Sequence, residues 1–293
     1  MSILQDVVQT QSVDRGNRDP GVASPPRTRL VPSQTALAIR DLIDGARLWY
    51  VWGALGWQDI RQRYRRSKIG AFWLTISMAV MIGALGGLYS GLFNADIAHY
   101  LPHVAVGFVI WGFVASVINE GCNAFIDGQG SIKQVRLPLS VYVYRVVWRN
   151  LIIFGHNCVI VAVVIVAFEI EPGWTALLAI PALLLLCLNG IWAGLLLGLL
   201  SARFRDVPQI ITNAMQVIFF LTPIIWQPEF LPSRARVLTF NPFYHAIELL
   251  RAPLFGEVPP LRSWLAMLAV TVVGSAIALA MYARCRWRVP YWV

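Results

Sequence analysis

Apolar residues run in six long stretches from Phe72 to the end of the chain, at about 72–93, 101–119, 146–168, 174–200, 208–226 and 264–282. Each is close to the ~20 apolar residues that an α-helix needs to cross a bilayer core. Short polar or proline-punctuated gaps separate them. Few charges fall inside them, and a central Arg would cost about 3 kcal/mol on insertion. The third stretch is the weakest, because Arg149 sits near its start. The pattern predicts an all-α integral membrane protein with six transmembrane helices.

The 24 Lys and Arg residues are distributed unevenly between the gaps. Eleven precede the first stretch, and none lies at 94–100. Lys133, Arg136, Arg145 and Arg149 follow the second stretch, while only Glu169 and Glu171 follow the third. Arg203 and Arg205 follow the fourth, and Arg284, Arg286 and Arg288 follow the last. The other side has only Arg234, Arg236, Arg251 and Arg262. The positive-inside bias therefore puts both termini in the cytoplasm, in agreement with an even number of spans.

Composition supports this reading. Charged residues make up 13% of the chain, against about 25% in an ordinary soluble domain. Twelve Trp suit interfacial anchoring. The formal charge of +9 would raise nucleic acid as a partner of a soluble protein, but here the topology accounts for it and no nucleic acid is expected. Cys122, Cys158, Cys187 and Cys285 show neither disulfide nor zinc spacing. Residues 1–44 hold four prolines and no signal-peptide core. They read as a disordered cytoplasmic tail with a short helix near 34–43.

Several local patterns carry more specific expectations. In segment 47–68, Trp49, Trp52, Trp57, Ile60 and Tyr64 share about half a helical circumference. Gln58, Arg61 and Gln62 lie opposite, with Arg63, Arg65 and Arg66 following. This predicts an amphipathic helix in the membrane interface, where the rings sit at headgroup depth and the guanidinium groups meet water, lipid phosphate or a soluble partner. After the second stretch, Asp127, Gly128, Gly130 and Pro138 bracket a short segment around Ser131–Arg136, either a solvated loop or a short helix that fits a partner's groove. Gly83, Gly87 and Gly91, and again Gly190, Gly194 and Gly198, recur every four residues, spacing that lets helices approach closely.

The gap before the last stretch is apolar and rich in proline. It predicts two short outer helices that dip into the membrane interface and split at Asn241–Pro242. Re-entrant backbone is tolerated only against protein or a wet cavity, so this hints at a pore mouth. His245 and Glu248 lie one turn apart and read as a satisfied polar pair, since no third metal ligand is near. Intramembrane polar residues are few: Asn119, Glu120, His156, Asn157, Asn189, Asn213 and Gln216. They form no carboxylate row of the proton-relay kind. Neither Lys68 nor Lys133 belongs to a phosphate-binding G-x-x-x-x-G-K-[ST] loop. If ATP drives this protein, another subunit binds it.

LGWQDIRQRYRRSKIGAFW, IKQVRLP and NPFYHAIELLRAPLFG, in this order along residues 49–282, resemble type-2 ABC permeases. The nearest branch is the exporters of O-antigen and related lipid-linked polysaccharides. The resemblance implies a homodimer in the bacterial plasma membrane. Each copy would bind an ATP-binding subunit that holds the ATP and magnesium, leaving no cofactor in this chain. It implies that 47–68 is an interface helix. Asp127, Ser131, Lys133, Gln134 and Arg136 would belong to a coupling helix, and 229–255 to outer gate helices that include Phe230, Asn241, Pro242, Tyr244, His245 and Glu248. Trp73, Tyr89, Phe108, Trp111, Phe113, Phe219, Phe220 and Trp226 are candidates for the pore aromatics of the family. Another glycan (capsule, teichoic acid or galactan), or a smaller lipid or drug, remains open as cargo. A membrane glycosyltransferase is disfavoured because Glu229, Glu248 and Glu257 are scattered and no D-x-D occurs.

Overall fold

The computed structural model describes residues 33–63, 65, 72–93, 96–228 and 238–293. The larger of two units spans Gln34–Val293. Helices α1 (Gln34–Arg47) and α2 (Trp49–Arg63) precede α3 (Phe72–Phe93), α4 (Ile97–Asp127) and α5 (Gln129–Gln134). Next come α6 (Ser140–Ala167), a 3-10 turn at Gly173–Leu178, α7 (Ala179–Arg203) and α8 (Val207–Leu221). Helices α9 (Pro242–Leu254) and α10 (Leu261–Cys285) follow, and α11 (Val289–Trp292) closes the chain. Among the described residues every regular element is helical.

Helices α3, α4, α6, α7 and α10 are long and apolar enough to cross a membrane. The fifth predicted span is shorter than expected. Helix α8 has 15 residues and reaches about 22 Å, less than the ~30 Å of a hydrocarbon core. The cause is local. Thr222 is extended, the conformation that a following proline favours, and Pro223 follows it. Residues 222–226 therefore leave the helix.

That broken backbone is held by protein groups. Tyr100 donates its hydroxyl to the Ile225 carbonyl, Arg251 donates to the Pro223 carbonyl at 3.0 Å, and Asn241 Nδ2 donates to Thr222 Oγ1 at 3.1 Å. This is the condition under which irregular backbone survives at membrane depth.

Other boundaries also move for identifiable reasons. Helix α6 begins at Ser140 rather than near 146, because Asp41 on α1 caps its first turn. The amides of Leu139 and Ser140 donate to that carboxylate at 3.2 and 3.1 Å. Without such a cap these helix-end amides would be unsatisfied. Asp41 also accepts from Tyr282 on α10 at 2.5 Å. Helix α1 thus extends past the short helix expected at 34–43, and the remaining tail, 1–32, lies outside the described residues.

The α7 glycine ladder is an internal seam. A Cβ on Gly190 would sit 2.6 Å from Val117 Cγ1, and one on Gly121 would sit 3.0 Å from Gly194 Cα. The α3 ladder is different, since Gly83, Gly87 and Gly91 have nothing within 4 Å of that position. Polar residues bridge the helices in pairs: Thr75 to Asn157 at 3.1 Å, Thr212 to Asn119 at 3.2 Å and Asn189 to Thr271 at 2.8 Å. Apolar core fills the bundle around Val106, Ile110, Val117, Leu186 and Ile247. A second cluster at the end bearing both α1 and α11 joins Ala38, Phe125, Tyr142, Leu199, Tyr282 and Val293. Outward faces carry exposed Val80, Leu88, Val163, Leu184 and Val272. The four cysteines are free.

Candidate functional site

Three groups of residues stand out, one at the α1 end, one along α4 and α8, and one at the far end. At the α1 end, α2 lies on α6. Its glycines permit the approach: a Cβ on Gly56 would sit 2.9 Å from Trp148 Cδ1. Ile60 is buried. Trp52 is half-buried and meets the Trp148 ring edge-on at 5.8 Å. Only part of the expected amphipathic face is outward, with Trp49 and Trp57 exposed beside Arg61 and Arg63. Arg65 is exposed just beyond the helix, and Tyr64 and Arg66 lie outside the described residues.

Beneath α2 is a network of charges. Asp59 pairs with Arg145, which donates through Nε at 2.7 Å and also through Nη2, and with Arg149 at 2.7 Å. Arg149 also donates to Glu120 on α4 through Nη2 at 2.7 Å and Nε at 3.2 Å. Asn150 donates to the same oxygen at 2.6 Å, and Arg63 reaches Glu120 Oε1 at 3.4 Å. The Arg149 side chain is only 12% exposed. A buried charge of this kind needs a partner and saturated hydrogen bonds. Arg149 has both, which explains how an Arg fits near the start of an apolar helix.

The segment after α4 forms the six-residue α5. Asp127, Ser131, Lys133, Gln134 and Arg136 are all exposed along it, while Ile132 is anchored in the second cluster. Gly128 makes the corner, since a Cβ there would sit 2.6 Å from Tyr142 Cδ1.

Helices α4 and α8 border an open groove of about 500 Å³. Phe108, Trp111, Phe219 and Phe220 line it, together with polar Asn119, Thr212 and Gln216. The rings touch in sequence: Phe108 to Phe219 at 5.4 Å, Trp111 to Phe219 at 5.7 Å and Phe219 to Phe220 at 5.2 Å. The other predicted aromatics are elsewhere. Phe113 is buried against Phe154 at 5.1 Å. Trp73 is exposed at the start of α3, and Tyr89 is half-buried on the same helix. Trp226 donates its indole N–H to the Phe220 carbonyl at 3.1 Å.

At the far end, Asn241 caps α9, accepting from the amides of Phe243 and Tyr244 at 2.9 and 3.4 Å. Pro242 occupies the first turn, where its missing N–H costs nothing. His245 and Glu248 do not pair with each other. The His245 ring meets Ser263 Oγ at 3.0 Å and the Thr239 carbonyl at 2.9 Å, while Glu248 accepts from Arg251 at 3.1 Å. Arg251 is 5% exposed and also donates to His103 Nε2 at 3.0 Å. Phe230 lies outside the described residues, as do positions 229–237 of the first expected outer helix. No group of three potential metal ligands occurs among the described residues.

Asp41, Asp59, His103 and Arg251 are absent from the sequence-derived sites. The Arg145/Arg149 spacing was an available signal for the network, because residues four apart share one helix face.

A bundle of apolar helices of membrane-crossing length, with polar seams and an open aromatic groove, is the architecture of an integral membrane protein. A family model described as ABC-2 type transporter matches residues 50–255, and the chain belongs to that family. It is similar to an O-antigen export system permease protein RfbA of Myxococcus xanthus, 24% identical over 221 residues, covering 74% of this chain and 85% of the relative. Two RfbA proteins of Klebsiella pneumoniae with the same description are 22% and 19% identical, each covering 79% of this chain and 90% of the relative. The chain is thus a multi-pass membrane permease of an ABC-2 transporter.

Proposed function

We propose that this chain is the membrane subunit of an ATP-driven exporter that moves a lipid-linked, O-antigen-like polysaccharide across the bacterial plasma membrane. It works as a homodimer with two ATP-binding subunits, and both its termini are cytoplasmic. The aromatic groove between α4 and α8 carries the reading. A polysaccharide presents several hydroxyls per sugar, and each one left unbonded in hydrocarbon costs on the order of 1–3 kcal/mol. A passage for it must be wet or polar along its length. The groove gathers flat rings toward one end and Asn119, Thr212 and Gln216 toward the other. Rings give contact without fixed hydrogen-bond geometry, which suits a sliding polymer, and the amides and hydroxyl serve the sugar edges. A second copy facing the first would close the groove into a channel.

In this reading α2 is the interface helix and α5 the coupling helix, with α9 as an outer gate helix. Closure of the partner ATPases biases the membrane helices between two states. Export by the reconstituted complex tests it. Trp111→Ala and Phe219→Ala should slow polymer transfer several-fold while assembly with the ATP-binding subunit persists. Normal export by both variants would remove the aromatic groove from the pathway.

A further inference from the structure

A second cavity, separate from the groove, lies inside the bundle between α4, α7, α9 and α10. Its volume is about 250 Å³, larger than the ~150 Å³ apolar cavity that takes up benzene. Close-packed interiors leave few voids of this size. Its walls are hydrocarbon, including Phe113, Val117, Leu186, Phe243, Met267 and Val270. The polar side chains at its edge are already engaged. Asn189 Nδ2 donates to the Leu185 carbonyl and to Thr271 Oγ1, both at 2.8 Å, and Asn189 Oδ1 accepts from the Trp192 indole at 2.9 Å. Nothing on the wall offers water the two to four partners it needs.

The cavity is also shaped. The hydrogen bond to Asn189 holds the Trp192 indole as a flat wall. Gly274 makes room for it, since a Cβ there would sit 2.4 Å from Trp192 Cε2. On other faces of α10, Leu268, Val272 and Val273 are exposed to the surroundings. Helix α10 is long and apolar enough to cross a membrane, where such faces meet lipid tails.

We propose that this cavity is a binding site for a single hydrocarbon chain, acyl or isoprenoid. Apolar walls and saturated polar edges, in a bundle of membrane-length helices, make hydrocarbon the abundant guest that fits. The guest would rest on Phe243 in the first turn of α9, and Phe243 meets Trp111 of the aromatic groove at 5.8 Å. Occupancy therefore bears on the helix that caps the far end and on the ring at the centre of the groove. The site is defined by occupancy alone, so its test and the export test fail independently.

Photolabelling tests it on the full chain in lipid nanodiscs. One arm carries phospholipid with a diazirine in its acyl chain, the other a diazirine-bearing polyprenyl phosphate. Peptide mass spectrometry should find label on Met267 and Phe243 in at least one arm, and the arm that labels identifies the source. Ala193→Phe, which fills the cavity, should cut that label about tenfold while label on exposed Leu188 and Val272 persists. An excess of dodecane added to the unmodified chain should displace the same label, and this needs no substitution. Label confined to Leu188 and Val272 in both arms, or insensitive to dodecane, would overturn the proposal.

Discussion

Arg149 Nη1 lies 2.7 Å from Asp59 Oδ2, and Arg149 Nη2 lies 2.7 Å from Glu120 Oε2. One guanidinium thus ties α2 to α4 through α6. The Asp59 bond joins α2 to a membrane-length helix and the Glu120 bond joins that helix to a second, so movement of α2 cannot leave the bundle undisturbed. Replacing Arg149 with Ala leaves Asp59 to Arg145 and Glu120 to Asn150 and Arg63, so the loss should fall below the ~3–5 kcal/mol of a fully stranded buried charge. Asp59→Ala should be milder, because Glu120 still receives Arg149. The double variant should fall short of the sum of the two by about 0.5–3 kcal/mol, as contacting residues do. Thermal unfolding of the four proteins in detergent measures this, and strict additivity would show that the network is not a unit.

The two glycine ladders should behave oppositely. Gly190→Ala places a methyl 2.6 Å from Val117, and overpacking of this kind costs about 1–3 kcal/mol. Gly87→Ala meets nothing and should not lower the fold's thermal stability. It also improves helix propensity by up to ~1 kcal/mol. A large loss of assembly with Gly87→Ala, at undiminished monomer stability, would identify the α3 face as a contact between copies.

Hydropathy and charge asymmetry locate five of the spanning helices well, because bilayer thickness imposes a length that few other structures need. What they miss is set by single residues. A windowed average carries the fifth stretch on to Trp226, whereas the Thr222–Pro223 step stops α8 at Leu221. The start of α6 depends on Asp41, 99 residues earlier in sequence than Ser140, and no local pattern contains that information. Of the aromatic candidates, Phe108, Trp111, Phe219 and Phe220 converge, while Phe113 turns into the core. Residue type is the same in both cases, and only helix rotation separates them.

Exposed Lys133 and Arg136 flank the end of α5, whose Ile132 is anchored beneath. Their charges have no structural task in the fold, so reversing both to Glu should leave thermal stability within about 0.5 kcal/mol, as surface changes do. If α5 couples to an ATPase, the same double reversal should weaken copurification with the ATP-binding subunit and lower its stimulated hydrolysis several-fold. Unchanged binding and unchanged stimulation would remove the coupling role.

Arg251 gathers three elements on one side chain: His103 of α4, the Pro223 carbonyl after α8, and Glu248 of its own helix. Arg251→Met keeps much of the aliphatic stem but strands Glu248 and leaves a buried carbonyl without its donor. Each buried group left unpaired costs roughly 1–3 kcal/mol, and more for a charge. Within 222–226 the Thr222 amide keeps a helical bond, to the Ile218 carbonyl at 2.9 Å, so the loss should concentrate at the residues that follow it. Hydrogen exchange at the amide of Ile224 should accelerate strongly in Arg251→Met, while exchange within α6 stays unchanged. Arg251→Met with Glu248→Gln should recover part of the stability, because the stranded charge is gone, yet exchange at Ile224 should remain fast. Recovery of both together would mean that the ion pair, and not the carbonyl bond, holds the broken segment.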